Sequence, residues 1–236
     1  MPIKPLTDQV VTVCFAPGED ADWFSASEKA ERLLNVTGTT PSRRYHVRHR
    51  RFIGWITCFF TYYLLDTARK FGAITKAAGG RKGRLDLNGA AAAAATEARL
   101  RWHAWNQYMN STPATARPAR LWEDFLAQHQ ADPTKITLNE ARRRFHAQPR
   151  VIAMLASAGV HEFDPYELAA YQAGEHAYAG LHWRIAIVGD LLITAEGKVL
   201  KAASDNMADR LVFLNQAIKY LRSLKSSARL CAVTIA

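Results

Sequence analysis

The chain has 236 residues, of which 49% are hydrophobic and 22% are charged. This balance is typical of a globular protein of one or two domains, and it excludes a wholly disordered tail, a collagen-like repeat and a polytopic transporter. The formal net charge is +10, but residues 1–42 carry 3 basic and 6 acidic groups, residues 43–84 carry 11 and 1, and residues 85–236 carry 17 and 14. We therefore expect a negatively charged partner to bind within residues 43–84.

The first 42 residues predict one strand and one short helix. Val10 to Phe15 is an apolar run that ends at Pro17-Gly18, which is typical of a strand rather than of a secretory signal. Ser25 and Glu28 have the spacing of a capping box, so a helix is predicted to begin there. No cleavable secretory signal is expected. A targeting signal for an organelle would have to lie in an internal segment.

Residues 52–65 form an uncharged apolar segment between two basic clusters. A helix through this segment is predicted to stop before Ala77; counted to Ala68 it would be about 25 Å long, against ~30 Å for the hydrocarbon core of a bilayer. Flanking arginines and aromatic rings favour lipid contact, whereas the short length favours a buried helix of a soluble bundle. Both interpretations stay open. The residues that mark the predicted membrane segment are Phe52, Trp55, Phe59, Phe60, Tyr62 and Tyr63.

Basic residues on both sides of this segment are the predicted contacts for an anionic partner, either lipid headgroups or phosphates. They are Arg43, Arg44, Arg48, Arg50, Arg51, Arg69, Lys70, Arg81, Lys82 and Arg84. If the partner is a nucleic acid, the aromatic residues between them belong to the core or stack on bases. The alternative without a binding role is a solvated basic surface that only confers solubility.

The remaining sequence predicts helices, with one hairpin near the carboxyl end. The hairpin turns at Glu196-Gly197, and Ser204 caps a long amphipathic helix whose apolar residues recur from Met207 to Leu221. The predicted fold class is therefore mainly α, a helical bundle with α+β character at its margins. The predicted parts are residues 1–42 (strand and short helix), 43–84 (basic apolar segment), 85–110 (alanine-rich helix), 111–118 (linker), 119–180 (helical module) and 181–236 (hairpin and amphipathic helix).

A pattern of aromatic residues and helix starts runs through residues 120–172. Its motifs are Leu121-Trp122-Glu123-Asp124-Phe125-Leu126, Thr137-Leu138-Asn139-Glu140, Gln148-Pro149-Arg150-Val151 and Glu162-Phe163-Asp164-Pro165-Tyr166. The segment resembles an FF domain, a module of three helices and a 3₁₀ turn named for two phenylalanines. Trp122 replaces the first phenylalanine, Leu138 stands where a tryptophan is usual, and the turn lacks the family's acid and aromatic.

This resemblance implies a binding module without catalytic activity, of the kind that holds acidic or phosphorylated peptides in splicing and transcription factors. The core residues that it implies are Trp122, Phe125, Leu126, Leu138, Phe145, Phe163 and Tyr166. The basic residues available for an acidic peptide are Arg142, Arg143, Arg144 and Arg150. The resemblance covers under a quarter of the chain, so it argues against an enzyme more strongly than it argues for one partner.

The sequence lacks motifs that are typical of catalysis, metal binding or nucleotide binding. The three cysteines are too few and too scattered for a disulfide framework or a thiolate metal site. The glycine-rich loop from Gly79 to Arg84 lacks the Lys-Ser/Thr ending of a P-loop, and two partial EF-hand endings lack the upstream oxygen ligands that calcium needs. We therefore expect no enzyme activity, metal, cofactor or small-molecule substrate.

The function expected from these observations is that of a non-catalytic structural or accessory subunit of a larger, membrane-associated complex. It would dock other protein subunits through helical surfaces and contact anionic lipid, in the mitochondrial inner membrane for preference. The first alternative is a nuclear or cytoplasmic nucleic-acid or RNA-processing adaptor, with the FF-like module binding a peptide. The second alternative is a self-assembling nucleic-acid-packaging protein.

Overall fold

The computed structural model describes residues 9–48, 63–158, 164–204 and 206–235. The strands are β1 (Gln9–Cys14), β2 (Thr39–Pro41), β3 (Tyr45–Val47), β4 (Leu64–Lys70), β5 (Ala73–Arg81), β6 (Leu85–Asp86), β7 (Leu191–Ile193), β8 (Val199–Leu200) and β9 (Arg229–Ile235). The helices are α1 (Trp23–Leu34), α2 (Leu87–Met109), α3 (Pro113–Ala116), α4 (Trp122–Ala131), α5 (Leu138–His146), α6 (Pro149–Ala158), α7 (Pro165–Gln172), α8 (Glu175–Val188) and α9 (Met207–Ser223), with a 3₁₀ turn at Lys82–Arg84.

These elements make an α+β fold around a nine-stranded mixed sheet, so the prediction of a mainly α bundle is wrong. Most strands are short, and several are rich in alanine or basic residues, which gives a weak strand signal in the sequence. The chain forms two compact units. Within the described residues, the helical unit comprises Ala95–Leu181 and Ala203–Leu211, and the sheet unit comprises residues 9–94, His182–Ala202 and residues 212–235.

Strand β9 lies inside the sheet of the sheet unit. One of its edges pairs antiparallel with β1, and its other edge pairs antiparallel with β2 and β5. β1 also pairs with β7, the one parallel ladder among the described strands, and β7 continues antiparallel to β8. β5 in turn pairs with β3 and β4, and β3 pairs with β6.

Helix α1 packs on this sheet through two small residues. Ala26 and Ala30 are one helical turn apart and both are fully buried. They share a core with Val11 and Val13 of β1 and Val233 of β9. Small side chains at this spacing let the helix approach the strands closely, and burial of the valines stabilises both elements.

Several predicted elements are confirmed, with shifts in two helix starts. The strand predicted from Val10 is β1, and the terminal amphipathic helix is α9. The hairpin at Glu196-Gly197 is confirmed by the β7–β8 ladder. The first helix begins at Trp23 rather than Ser25, because Asp22 is its cap and accepts a hydrogen bond from the Ser25 amide at 2.7 Å. The terminal helix begins at Met207, and its cap is Asn206 rather than Ser204, because the Asn206 side chain accepts a hydrogen bond from the Asp209 amide at 2.7 Å.

The helix predicted through the apolar segment is wrong for residues 64–76, which belong to a strand hairpin that extends to residue 81. This antiparallel hairpin is β4–β5, paired from Leu64 with Gly80 to Lys70 with Ala73. Gly72, at φ 80°, helps to close the turn, and ladder pairing satisfies the backbone groups that a helix would have satisfied internally. A helical span reaching Ala68 is therefore excluded. No helix in the described part of the chain is both long enough and apolar enough to cross a membrane.

Two cysteines lie in the core of the sheet unit, and we expect both to resist alkylation in the folded protein. Burial raises the pKa of the Cys14 thiol to about 12, and burial does the same to the pKa of Cys231. Because the thiolate is the reactive form, iodoacetamide at about pH 8 should modify neither cysteine until the protein is unfolded in urea. Peptide mapping by mass spectrometry measures this, and rapid labelling of either residue in the native protein would contradict it.

Candidate functional site

The sheet formed by β3, β5 and β4 has one buried face and one exposed face. Tyr45 pairs with Ala77, and both are fully buried, as is Ile74. The next pair along the ladder is His46 with Lys76, which lies on the opposite face because successive residues of a strand alternate. This alternation separates an apolar face in the core from a face that carries basic side chains.

Basic residues from three strands share the exposed face. Lys76 of β5 lies between His46 of β3 and Ala68 of β4. Arg48 is two residues after His46, and Lys70 is two residues after Ala68. Because side chains of a strand return to the same face every two residues, Arg48 and Lys70 lie on the face of Lys76. Arg48, Lys70 and Lys76 are exposed and His46 is half-buried. We call these four residues the basic face.

A β-bulge keeps apolar side chains off this face. The ladder between β4 and β5 shifts register between Ala68 and Arg69, so that Arg69 pairs with Ile74. In a regular strand Ile74, two positions before Lys76, would lie on the same face as the lysine. The bulge turns Ile74 into the core, where it is fully buried.

The tip of the β4–β5 hairpin carries an exposed aromatic residue, Phe71. Its side chain is 96% exposed. Phe71 and Gly72 have φ values of 51° and 80°, as in a two-residue type I′ turn, where Asn-Gly is the favoured pair. A bulky residue in this left-handed region costs roughly 1–3 kcal/mol. Phe71 therefore occupies a position that neither burial nor backbone preference explains.

Cations surround this tip. The Nζ atom of Lys70 lies 5.7 Å from the centre of the Phe71 ring. The guanidinium of Arg69 donates a hydrogen bond to the Gly72 carbonyl oxygen at 2.9 Å, which supports the turn from the other face of the hairpin. The tip thus presents an aromatic ring with the positive charge of Lys70 beside it and that of Arg69 at the backbone of the turn.

Two carboxylates lie among these strands, and each pairs with one arginine. Asp66 accepts hydrogen bonds from Nε and a terminal nitrogen of Arg43, both at 2.8 Å, and these bonds raise the pKa of Arg43. Asp86 lies 3.7 Å from Arg48 and also accepts a hydrogen bond from the Gly89 amide. Within the described residues, Lys70 and Lys76 form no ion pair with a carboxylate. Their charge is therefore available to an anionic ligand.

Other predicted contact residues hold the fold together. Arg44 donates to the Ile185 carbonyl oxygen near the end of α8. Lys82 donates to the carbonyl oxygens of Arg222 (3.1 Å) and Leu224 (2.6 Å), where α9 ends, and its burial lowers its pKa. Both cations donate to carbonyl groups near helix ends, and the Ile185 carbonyl oxygen also accepts a hydrogen bond from the Gly189 amide at 2.7 Å.

Arg81 and Arg84 lie at the end of β5 and in the 3₁₀ turn that follows it. The guanidinium of Arg81 stacks 3.3 Å from the ring centre of Tyr63, in a cation–π contact. The Arg84 side chain is half-buried, and its carbonyl oxygen accepts a hydrogen bond from the Arg48 amide at 2.8 Å, which helps to position Arg48. The predicted residues that lie outside the described part of the chain are Arg50, Arg51, Phe52, Trp55, Phe59, Phe60 and Tyr62.

Helices α4 and α5 bring together aromatic residues of the FF-like segment. Phe145 makes edge contacts with Trp122 (5.7 Å between ring centres) and Phe125 (6.0 Å). Leu126 and Leu138 are half-buried, and Tyr166 on α7 is buried under the guanidinium of Arg210. Phe163 lies outside the described residues. The turn implied at Gln148-Pro149-Arg150-Val151 is instead the start of α6, a helix of ten residues.

The four arginines expected to meet an acidic peptide have different environments. Arg143 and Arg144 are exposed, and each lies 2.8 Å from Glu140. Arg142 is half-buried. Arg150 is buried and donates to the carbonyl oxygens of Thr115 and Ala116 and to Gln172, so it ties α6 to the segment before α4. The structure does not bring these four side chains to one surface.

Sequence reasoning missed three residues of the site: His46, Phe71 and Lys76. The signal for them is Phe71-Gly72 between two strand-length segments, which conflicts with the predicted helix. Among the described residues, no group of three His, Cys, Asp or Glu side chains is placed to hold a metal ion. No protein-family model, curated protein or solved structure matches the chain.

Proposed function

We propose that this protein is a non-catalytic nucleic-acid-binding protein, which contacts phosphates through the basic face. The observation that carries the proposal is the triangle formed by Arg48, Lys70 and Lys76 on one face of three neighbouring strands. Because neighbouring strands lie about 4.8 Å apart, three cations spread over three strands can contact more than one phosphate of a backbone, which a single compact anion does not offer. Arg48 offers a planar set of donors, and each lysine offers a point charge.

The hairpin β4–β5 is also a suitable shape for this partner. A two-stranded antiparallel ribbon is narrow enough to enter the major groove of a duplex, and sheet surfaces with basic residues also bind single strands. Lys70 and Lys76 lie on one face of the ribbon, with Arg69 and Phe71 at its end. Phosphate contacts of this kind give affinity without sequence preference.

An anionic membrane surface is the competing partner for the same charges. Stable attachment to lipid needs apolar area in addition to charge, and a single acyl chain provides only marginal binding. The hairpin tip offers a single exposed apolar side chain, Phe71, flanked by cations. These described residues therefore support nucleic acid over lipid.

Salt-dependent binding tests this proposal. Fluorescence anisotropy with a labelled strand of about 20 nucleotides should show log K falling linearly with log salt between about 50 and 200 mM, with a slope near −2 for about three neutralised phosphates on a single strand. Vesicles of phosphatidylcholine with phosphatidylserine serve as the comparison at the same salt concentrations. The proposal is wrong if no strand binds at low salt, or if the protein prefers the vesicles and stays bound at high salt.

A further inference from the structure

We propose that Phe71 stacks on an unpaired base and makes the site selective for single-stranded nucleic acid; this inference rests on the proposed function. With phosphate contacts alone, the affinity for single strands and for duplexes would depend only on their charge density, because no contact would reach the bases. An aromatic side chain in reach of the same strand adds a contact that only an accessible base face can satisfy.

The strained, exposed position of Phe71 is the first support for this role. Its ring is 96% exposed, and its backbone lies at φ 51°, a conformation that glycine and asparagine adopt at lower cost. Within the described residues, the contact recorded for its ring is the one with Lys70 Nζ. The described part of the chain therefore gains no packing from a phenylalanine here, and a ligand contact explains its presence.

The placement of the neighbouring charges is the second support. Lys70 of the basic face has its Nζ atom 5.7 Å from the centre of the Phe71 ring, and Arg69, on the opposite face of the hairpin, donates to the Gly72 carbonyl oxygen of the same turn. In a single strand, phosphates flank each base along the backbone. A base stacked on Phe71 would hold its flanking phosphates within reach of these cations, so stacking and charge contacts reinforce each other.

The choice of single strand over duplex follows from the geometry of bases. Inside a duplex both faces of each base are covered by its neighbours, and exposing one face costs free energy for unstacking. A flexible single strand can present a base face at much lower cost. One aromatic ring at the end of a ribbon therefore favours single strands, while the basic face remains indifferent to base identity.

An abasic strand separates stacking from charge. Binding is measured by anisotropy with a thymidine strand of about 20 nucleotides and with a strand of equal length that has phosphates and sugars but no bases. Wild-type protein is expected to prefer the thymidine strand about tenfold, the effect of roughly one stacked base. F71N should bind the abasic strand like wild type and lose this preference, whereas F71W should keep it.

The fold of the variant is checked independently. Asparagine accepts the left-handed conformation better than phenylalanine, so F71N should unfold at a higher urea concentration than wild type. Loss of the preference in F71N is then a loss of stacking and not of structure. A variant outside the tip, Thr75→Ala on β5, is the matched control and should retain the preference.

Three binding results would overturn the stacking role of Phe71. Equal affinity of wild type for both strands overturns the stacking role and leaves the proposed function standing. A thymidine preference that survives in F71N also overturns it, because another residue must then stack on the base. Absence of binding to either strand overturns the proposed function and this inference together.

Discussion

Replacement of Arg48, Lys70 and Lys76 by glutamine is expected to weaken single-strand binding about 100-fold at low salt, the largest effect on function that the structure predicts. Glutamine keeps most of the side-chain length and can still donate hydrogen bonds, but it releases no counterion from the strand. The slope of log K against log salt should therefore fall by about 2 units as well. Anisotropy titrations at several salt concentrations measure both quantities.

Stability should change little in this variant, because all three side chains are exposed. The pair that it breaks, Arg48 with Asp86, is solvent-accessible and spans 3.7 Å, and exposed pairs of this kind contribute little. The matched control is the replacement of Lys135, Arg143 and Arg144 by glutamine, which removes the same charge from the helical unit. An equal loss of affinity in the control would show that binding depends on net charge and not on the basic face.

Gly79→Ala is expected to lower the free energy of unfolding by about 3–5 kcal/mol, the largest effect on stability that the structure predicts. Gly79 of β5 pairs with Cys231 of β9. A Cβ atom at this position would lie 2.2 Å from the Leu230 carbonyl oxygen and 2.6 Å from the Cys231 Cα. Both are backbone atoms, so the strands would have to separate or shift, and β5 would lose its place beside β9.

Urea denaturation followed by circular dichroism measures this change. Thr75→Ala on the same strand is the control, because Thr75 is exposed and its removal should change stability by about 0.5 kcal/mol or less. If Gly79→Ala unfolds within about 1 kcal/mol of wild type, the close approach of β5 to β9 is contradicted. The two variants together separate a steric effect at the β5–β9 ladder from a general effect of alanine in β5.

Elements with a strong local pattern could be predicted from the sequence. β1 follows from a short apolar run, and α9 follows from apolar residues at helical spacing between Met207 and Leu221. The hairpin β7–β8 follows from its turn at Glu196-Gly197. In each case the residues that determine the element are close together in the chain, so no distant partner is needed to recognise it.

Elements that depend on distant partners could not be predicted in this way. β9, near the carboxyl end, is enclosed by strands from the first 81 residues, and its residues from Leu230 to Val233 are fully buried without alternation of polar and apolar side chains. β4 and β5 were mistaken for a helix because their alanine-rich, basic sequence has little strand propensity. Their pairing with each other and with β9 overrides that propensity.

The sequence by itself determined that the positive charge is concentrated in residues 43–84, because the formal charge of a segment depends only on the residues that it contains. The tertiary structure decided which of those cations a ligand can use. Folding brings helix carbonyl groups from more than a hundred residues away to Arg44 and Lys82, and these groups engage both side chains. Strand register places Lys70 and Lys76 on an exposed face without a carboxylate partner among the described residues, because alternation along a strand assigns each side chain to one face.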